Sequence, residues 1–242
     1  MATPKFYALQ EIVPEAPSPS RTPIEGVLRE EVVWEREKSR VVLERSIAMK
    51  APGTKRGPAP KCPVCGRFIG QLEWLPPYRV EIETWGTAFG DVMIAGTADL
   101  VVSSAFCALF EQNKLFAHGV FESVEVAKVI KHRKLSAKLP VFFKRTLPVG
   151  PVRIDHAASE FIWSNNEEPC PNCMWPKGGF VKGYKGLVID ASTWAGEDLF
   201  HPYGTPVNFI VTERFRTMCE ENGVTNVEFE AVENCILEIG AR

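Results

Sequence analysis

The sequence has no apolar run long enough to cross a bilayer, and no apolar stretch near its start that would serve as a secretory signal. Its 28 basic and 30 acidic residues leave a formal net charge of only -2, so it lacks the positive charge typical of a dedicated polyanion binder. We therefore expect a cytoplasmic protein that does not bind membranes and for which nucleic acid is not the first candidate partner.

Motifs of familiar enzyme families are also missing. The sequence contains no GxSxG, no HExxH, no Walker loop and no glycine-rich dinucleotide turn. The glycine-rich segment MWPKGGFVKGYKG, residues 174–186, lacks the strand-turn-helix context of a phosphate loop, and we interpret it as a ribbon hairpin. These absences predict a protein that is not an enzyme.

Cysteine is present in an odd number, seven, and in a reducing compartment thiols stay free or bind metal. Four of them form two CxxC motifs, KCPVCGRF with Cys62 and Cys65 and PCPNCM with Cys170 and Cys173. A two-residue spacer lets both thiolates face one tetrahedral ion, and structural zinc takes four such ligands. We predict one structural Zn²⁺ bound by all four cysteines, with no open position for catalysis.

Other interpretations of the two motifs stay open. Cys62 and Cys65 could form a redox pair. His156 or His201 could complete a separate site in each half, although the four histidines show no metal-ligand spacing. The motifs could also hold no metal. The remaining cysteines lie on predicted apolar faces and are expected in the core: Cys107, Cys219 and Cys235.

The two motifs belong to a longer pattern that recurs at an offset of 170 minus 62, or 108 residues. TWG from Thr84 recurs as TWAG from Thr193, and FESVE recurs as FEAVE. We interpret the chain as one compact domain, residues 1–242, with two diverged tandem copies at about residues 58–129 and 164–238. An approximate twofold axis between the copies would bring the four cysteines together. The alternative is a chance similarity between two common patterns.

Each copy contains a strand-helix-strand pattern after its CxxC loop. DLVVS and NFIVT predict strands, Ser103 and Thr212 stand at helix N-cap positions, and apolar residues at i, i+3 and i+4 predict one buried helix face. KFYALQEIV predicts a first strand, and the alternation in VEFEAVENCILEIG predicts one half-solvated strand, interrupted only at Glu233. These patterns predict an α+β fold. Residues 26–47 fit either strands or a helix.

Four stretches resemble a known family. The two CPxCG-type motifs, the opening KFYAL and the ending NFIVTERFRTMCEENGVTNVEFEAVE are similar to the myxobacterial double-CXXCG motif proteins, and the similarity covers most of the chain. The resemblance implies an immunity protein of the Sit swarming-inhibition type, cytoplasmic, which binds and neutralises a toxin exchanged between sibling cells. Met174 stands where the family has glycine, a residue that favours positive φ, so metal binding at the second motif is in question.

The charge distribution offers a candidate surface for such a partner. From Asp190 to the end ten acidic residues stand against three basic ones, and an acidic face can bind a basic cleft and accelerate association. A solvated face is the alternative. Basic clusters in residues 50–67 and 128–145 suggest a nucleic-acid-binding zinc-ribbon protein as the second candidate function. The candidate toxin-binding residues are Glu213, Glu220, Glu221, Glu228 and Glu230.

Overall fold

The computed structural model describes residues 4–11, 45–95, 99–203 and 209–238. These residues form strands and two helices, as the predicted α+β class requires. In chain order the elements are β1 (Phe6–Glu11), β2 (Ser46–Lys50), β3 (Arg79–Thr84), β4 (Val92–Ile94), β5 (Asp99–Ser103), α1 (Ser104–Gln112), β6 (Glu122–Lys131), β7 (Phe142–Thr146), β8 (Val149–Ile154), β9 (Ile162–Trp163), β10 (Val181–Lys185), β11 (Ile189–Asp190), β12 (Leu199–Tyr203), β13 (Phe209–Thr212), α2 (Glu213–Glu221), β14 (Val227–Ala231) and β15 (Ile236–Glu238). Neither helix has the length and apolarity that crossing a membrane requires.

The strands form two large sheets and one small sheet. Their orders are β11-β8-β12-β13-β1-β14, β2-β3-β6-β7-β5-β4 and β15-β10-β9. Both large sheets contain four antiparallel strands in the same arrangement, β12-β13-β1-β14 in one and β4-β5-β7-β6 in the other. In the first sheet, β1 lies between β13 and β14, the two strands that flank α2 along the chain. In the second sheet, β7 lies between β5 and β6, the two strands that flank α1. The predicted strand β1 therefore completes a sheet made largely from the C-terminal half.

Both helices begin at the predicted caps. Ser103 Oγ accepts a hydrogen bond from the N–H of Phe106 at 3.1 Å, and Thr212 Oγ1 accepts one from the N–H of Phe215 at 3.3 Å. After α2, Gly223 has a φ of 61°, which is the left-handed stop expected from the Asn-Gly pair. The local signals thus place the helix starts, and they place the end of α2 as well.

The two helices pack against each other in a core that both large sheets supply. The ring of Phe215 in α2 lies 6.0 Å from that of Phe106 in α1. Strand β5 is buried on both faces, because Leu100 and Val102 face this core while Val101 faces a second core on the opposite side. Burial on both faces explains why the central strands are apolar runs instead of alternating patterns.

A buried aspartate holds the connection between the two helical units. Asp198, which precedes β12, is 3% exposed. Its carboxylate accepts hydrogen bonds from Thr212 Oγ1 at 2.8 Å, from the N–H of Phe116 at 2.9 Å and from Arg214 Nη1 at 3.1 Å. Thr212 caps α2, whereas Phe116 follows α1, so one side chain joins the start of one helix to the segment after the other.

Asp91, which precedes β4, makes the reciprocal contacts. It accepts from Ser103 Oγ, the cap of α1, at 2.7 Å and from the N–H of Thr225, after α2, at 3.1 Å. Neither aspartate lies in a sequence motif that indicates this role. The available signal was an acidic residue at the same place in both copies, in GDV and EDL.

The C-terminal segment corrects the prediction of a single strand. Strand β14 ends at Ala231, a one-turn 3-10 helix covers Val232–Asn234, and β15 joins the three-stranded sheet. Val232 and Cys235 are both buried, and the carbonyl of Val232 accepts from the N–H of Leu187 at 2.7 Å. These tertiary contacts hold the turn, which contains Glu233, the interruption in the alternating pattern. Residue 239 and the undecided segment up to residue 44 lie outside the described residues.

Candidate metal centre

The two CxxC motifs lie at the ends of antiparallel ribbons. Lys61 pairs with Phe68 on either side of the first motif, and Pro169 pairs with Pro176 around the second. Farther from the second motif, β9 pairs with β10. The glycine-rich segment after Cys173 was predicted to fold back on itself as a hairpin. Its strand, β10, instead pairs with β9, which precedes the motif, so the cysteine loop lies between the two strands of the ribbon.

Both motifs form the same backbone turn. The N–H of Cys62 donates to the carbonyl of Arg67 at 2.7 Å, and the corresponding bond joins Cys170 to Trp175 at 2.9 Å. A second bond in each turn runs from the residue after the last cysteine back to the carbonyl of the first, at 2.9 and 2.8 Å. The substitution of Met174 for glycine has therefore not changed the turn.

Met174 adopts the backbone conformation for which glycine is suited. Its φ is 59°, beside 71° for Gly66 at the same place in the first motif. A side chain in this left-handed region costs about 1 to 2 kcal/mol. The second motif therefore keeps its geometry at the expense of backbone strain.

Met174→Gly is expected to stabilise the protein by about 0.5 to 1 kcal/mol, because relief of strain outweighs the greater freedom of glycine in the unfolded chain. The Met174 side chain is 37% exposed, so little packing is lost. The matched control is Gly66→Ala, which introduces the same strain into the first motif and should destabilise by about 1 kcal/mol. Urea unfolding of metal-loaded protein measures both, and shifts in the same direction would contradict the assignment.

The four motif sulfur atoms lie within 4.8 Å of one another. Sγ of Cys62 is 3.8 Å from Sγ of Cys170, and Sγ of Cys65 is 3.6 Å from Sγ of Cys173. A tetrahedron with metal–sulfur bonds of about 2.3 Å has edges of about 3.8 Å. The structure brings all four predicted ligands together, and their spacing fits one four-coordinate metal ion bound by both motifs.

The surroundings shift the pKa values of three of these thiols in opposite directions. Burial alone would raise the pKa of Cys62, but hydrogen bonds from the N–H of Cys65 and from Asn172 lower it to about 6. The N–H of Cys173 likewise lowers the pKa of Cys170, against the effect of burial. Burial raises the pKa of Cys173 to about 12. Because thiolates this close repel one another, a divalent cation is what allows all four to ionise.

A polar group from the second motif supports the first. Asn172 Nδ2 donates to Sγ of Cys62 at 3.3 Å and to the hydroxyl of Tyr203 at 2.8 Å. The carbonyl of Asn172 accepts from Arg153 Nη1 at 2.7 Å, and the Arg153 guanidinium lies 4.9 Å from the centre of the Tyr203 ring. Hydrogen bonds of this kind orient metal ligands. Sequence reasoning missed these residues, since nothing local to them indicates a nearby sulfur.

Arg67 joins the two ribbons from the other direction. Its guanidinium donates to the carbonyl of Pro176 at 3.0 Å and to that of Gly179, and it lies 4.5 Å from the centre of the Trp175 ring. Both motifs are thus tied by direct contacts as well as by the cysteines. Stacking on an aromatic ring and bonds to two carbonyls suit arginine better than lysine.

No histidine belongs to the cluster of potential metal ligands found among the described residues. His156 comes near the second motif, where Nδ1 lies 3.2 Å from the carbonyl oxygen of Met174 and the ring stacks on Phe161. The separate-site alternative with His156 or His201 therefore lacks support from the geometry.

The other three cysteines lie away from the centre. Cys219 and Cys235 are buried, as predicted, and burial raises the pKa of each to about 12. Cys107 is half-buried at the edge of the helix core, and burial raises its pKa to about 11. None of the three belongs to the group of possible metal ligands found among the described residues, so they are core residues and not part of the centre.

The candidate toxin-binding glutamates lie on two neighbouring elements. On α2, Glu213 and Glu220 lie 3.8 and 3.7 Å from Arg216. Helix α2 packs on the apolar face of β14, so strand alternation directs Glu228 and Glu230 toward the opposite face. The five residues are Glu213, Glu220 and Glu221 on α2, and Glu228 and Glu230 on β14.

Several residues of the basic stretches are not free to bind a polyanion. Lys50 forms a buried ion pair with Asp99. Lys144 is 3% exposed and lies 2.7 Å from Glu122, and Arg145 is 6% exposed with its guanidinium bonded to backbone carbonyls. The basic residues of 128–145 that remain exposed are Lys128, Lys131, Arg133, Lys134 and Lys138.

Comparison with known proteins adds no family assignment. No protein-family model matches the sequence, and no curated protein matches it.

Proposed function

We propose that the chain is a zinc-stabilised immunity protein, which binds and neutralises a cognate toxin delivered by sibling cells. The observation that carries this proposal is the meeting of both CxxC motifs in one centre. Thiolate ligands at tetrahedral spacing select zinc among the common structural metals. Four sulfur ligands leave no position for water or substrate, so the ion fastens the two halves and takes part in no reaction.

Contacts between equivalent residues support the proposed duplication. The sequence separation of 108 relates Cys62 to Cys170 and Cys65 to Cys173, and both pairs are in contact. A residue meets its own copy in this way at a twofold axis. The hydrogen bonds of Asp91 and Asp198 also relate the two halves reciprocally, since each aspartate joins one helical unit to the other. The two large sheets repeat the same four-strand arrangement. Two diverged copies packed about a pseudo-twofold axis account for all of these features.

Toxin neutralisation rests on the resemblance of the paired motifs, the opening and the ending to the double-CXXCG proteins. It needs a rigid surface that recognises one partner, and a metal tie between two halves gives such a surface. In this proposal the protein acts in the cytoplasm, where the incoming toxin domain would arrive. The acidic residues of α2, Glu213, Glu220 and Glu221, are its proposed contact surface, and Glu228 and Glu230 of β14 form a second acidic patch on the opposite face of the sheet.

The direct test mixes the purified protein with the product of the neighbouring toxin gene. We expect a stable complex in size-exclusion chromatography and a titratable heat of binding at micromolar concentration. Protein from an unrelated toxin system serves as the specificity control. Absence of any complex with the cognate toxin at micromolar concentration would reject the immunity role and leave the metal centre untouched.

Charge reversal tests the contact surface separately. Glu220→Lys is expected to slow association about three- to tenfold at low salt, with a smaller effect at high salt, because a rim charge steers encounter. The matched control is Glu111→Lys, an exposed glutamate at the corresponding place on α1. Association rates come from surface plasmon resonance at two salt concentrations. Equal effects of the two variants would remove the α2 surface from the proposal.

A nucleic-acid-binding zinc-ribbon protein is the second candidate function. The exposed basic residues of 128–145 are what favours it, and the burial of Lys144 and Arg145 weakens it. Binding through phosphate contacts should fall steeply with rising salt. A fluorescent oligonucleotide titrated at low salt decides the matter, since an absence of binding there excludes this function.

A further inference from the structure

Two sulfur contacts in the centre link one motif to the other. Cys65 and Cys173 are 3.6 Å apart, and Cys62 and Cys170 are 3.8 Å apart. A disulfide bond is about 2.05 Å long, so a modest approach of the two ribbons suffices to form it. Within a motif, two backbone hydrogen bonds hold the turn that carries both cysteines. A disulfide inside one motif is the competing product, because all four sulfurs lie within 4.8 Å of one another.

Access to solvent differs among the four cysteines. Cys65 is exposed, whereas Cys62 and Cys173 are each 1% exposed and Cys170 is half-buried. An oxidant in solution therefore reaches Cys65 first, and Cys173 lies behind it at 3.6 Å. An accessible sulfur next to a second thiol is the usual arrangement of a redox-sensitive cysteine pair.

We propose that the centre is a reversible redox modification site for peroxides, in which Cys65 bonds to Cys173 and Cys62 bonds to Cys170. The Cys65 thiolate attacks hydrogen peroxide, takes one oxygen to become a sulfenic acid and releases hydroxide, which is protonated to water. The Cys173 sulfur then attacks the sulfenic sulfur, forms the disulfide and releases a second water. A second peroxide oxidises the other pair in the same way.

The oxidation replaces the shared metal ion, which joins the two halves, with two disulfide bonds between them. In zinc-loaded protein, four thiolates lose four electrons to two peroxides, and the ion leaves unchanged as Zn²⁺. Each new bond spans 108 residues, so the halves stay joined after the metal has gone. A dithiol reductant reverses the oxidation and restores the ligands.

Peptide mapping of the full-length, zinc-loaded protein tests this inference. Cleavage after lysine and arginine puts Cys62 and Cys65 in residues 62–67, and Cys170 and Cys173 in residues 154–177. After treatment with two equivalents of hydrogen peroxide and alkylation, we expect these two peptides to be joined, with the loss of four hydrogens and release of the bound zinc. Separate peptides, each two hydrogens lighter, would overturn the proposal, as would alkylation of all four cysteines.

A pair of double variants provides the matched control. Cys62→Ser/Cys170→Ser retains the cross-motif pair, and Cys170→Ser/Cys173→Ser retains the pair of the first motif; both lose two metal ligands. At a peroxide dose that fully oxidises the first variant, the second is expected to stay reduced. Circular dichroism compares their folding. A disulfide in the second variant at the same dose would contradict the proposed pairing.

Discussion

A single Cys170→Ser substitution is expected to abolish zinc binding, whereas we expect the unaltered protein to bind one ion per chain. The reason is that both motifs contribute to the same centre, with all four sulfurs within 4.8 Å. Three remaining thiolates and a poorer hydroxyl ligand hold zinc far more weakly. Elemental analysis after dialysis against a weak chelator measures the bound zinc, and Cys62→Ser should give the same result from the other motif.

Loss of the ion should also loosen the ribbons. Zinc contributes on the order of 10 kcal/mol to the folding of small zinc domains. Since both helices and both large sheets have their own apolar cores, we expect the ribbons to lose protection from proteolysis while the helices remain. Limited proteolysis with and without a strong chelator measures this difference.

Cys107→Ser is the control for the metal experiments, because Cys107 lies in α1 outside the cysteine centre. It should leave one zinc per chain. A stoichiometry of two ions in the unaltered protein, or retention of half the metal in Cys170→Ser, would show that each motif has its own site and would contradict the shared centre.

Asp198→Ala is expected to destabilise the protein by about 3 to 5 kcal/mol. The substitution removes the acceptor for the Thr212 hydroxyl and for the N–H of Phe116, and both groups then lack this partner in the interior. It also leaves Arg214 without its carboxylate. One of the polar contacts between the two helical units is lost in the same step. Urea unfolding of zinc-loaded protein, followed by tryptophan fluorescence, measures the change.

Asp190→Ala provides a comparison at an exposed site. Asp190 accepts hydrogen bonds from Ser192 only within its own turn, so its loss should cost about 1 kcal/mol. Asp91→Ala, which breaks the reciprocal contacts, should resemble Asp198→Ala. If Asp198→Ala cost no more than Asp190→Ala, the proposed role of the buried Asp198 carboxylate would be wrong.

The helices and central strands could be predicted because their signals are local. Ser103 and Thr212 cap the helices on which the apolar periodicity appears, and Asp99–Ser103 and Phe209–Thr212 are strands. The end of the chain could not be predicted in this way. The turn at Val232–Asn234 depends on packing against Leu187, a contact that alternation along the strand does not encode.

The cysteines of the candidate site were predictable from the sequence, but the residues around them were not. Cysteine pairs with a two-residue spacer identify the candidate metal ligands, since that spacing is typical of structural zinc sites. The residues around them were not predictable, because Asn172, Arg67 and Arg153 act through contacts set by distant parts of the chain. The positive φ expected at the second motif was predictable from the first, and Met174 adopts it.

The sequence alone determined the ligand residues, the helix starts, the apolar strands and the recurrence at 108 residues, because each depends on neighbouring residues or on spacing. Tertiary structure decided which strands become neighbours, with β1 and β7 inserted into the two large sheets. It also decided that Asp91 and Asp198 join opposite helices and that equivalent sulfurs meet. Those outcomes depend on how the two halves pack, and packing is a property of surfaces that form only after the local elements exist.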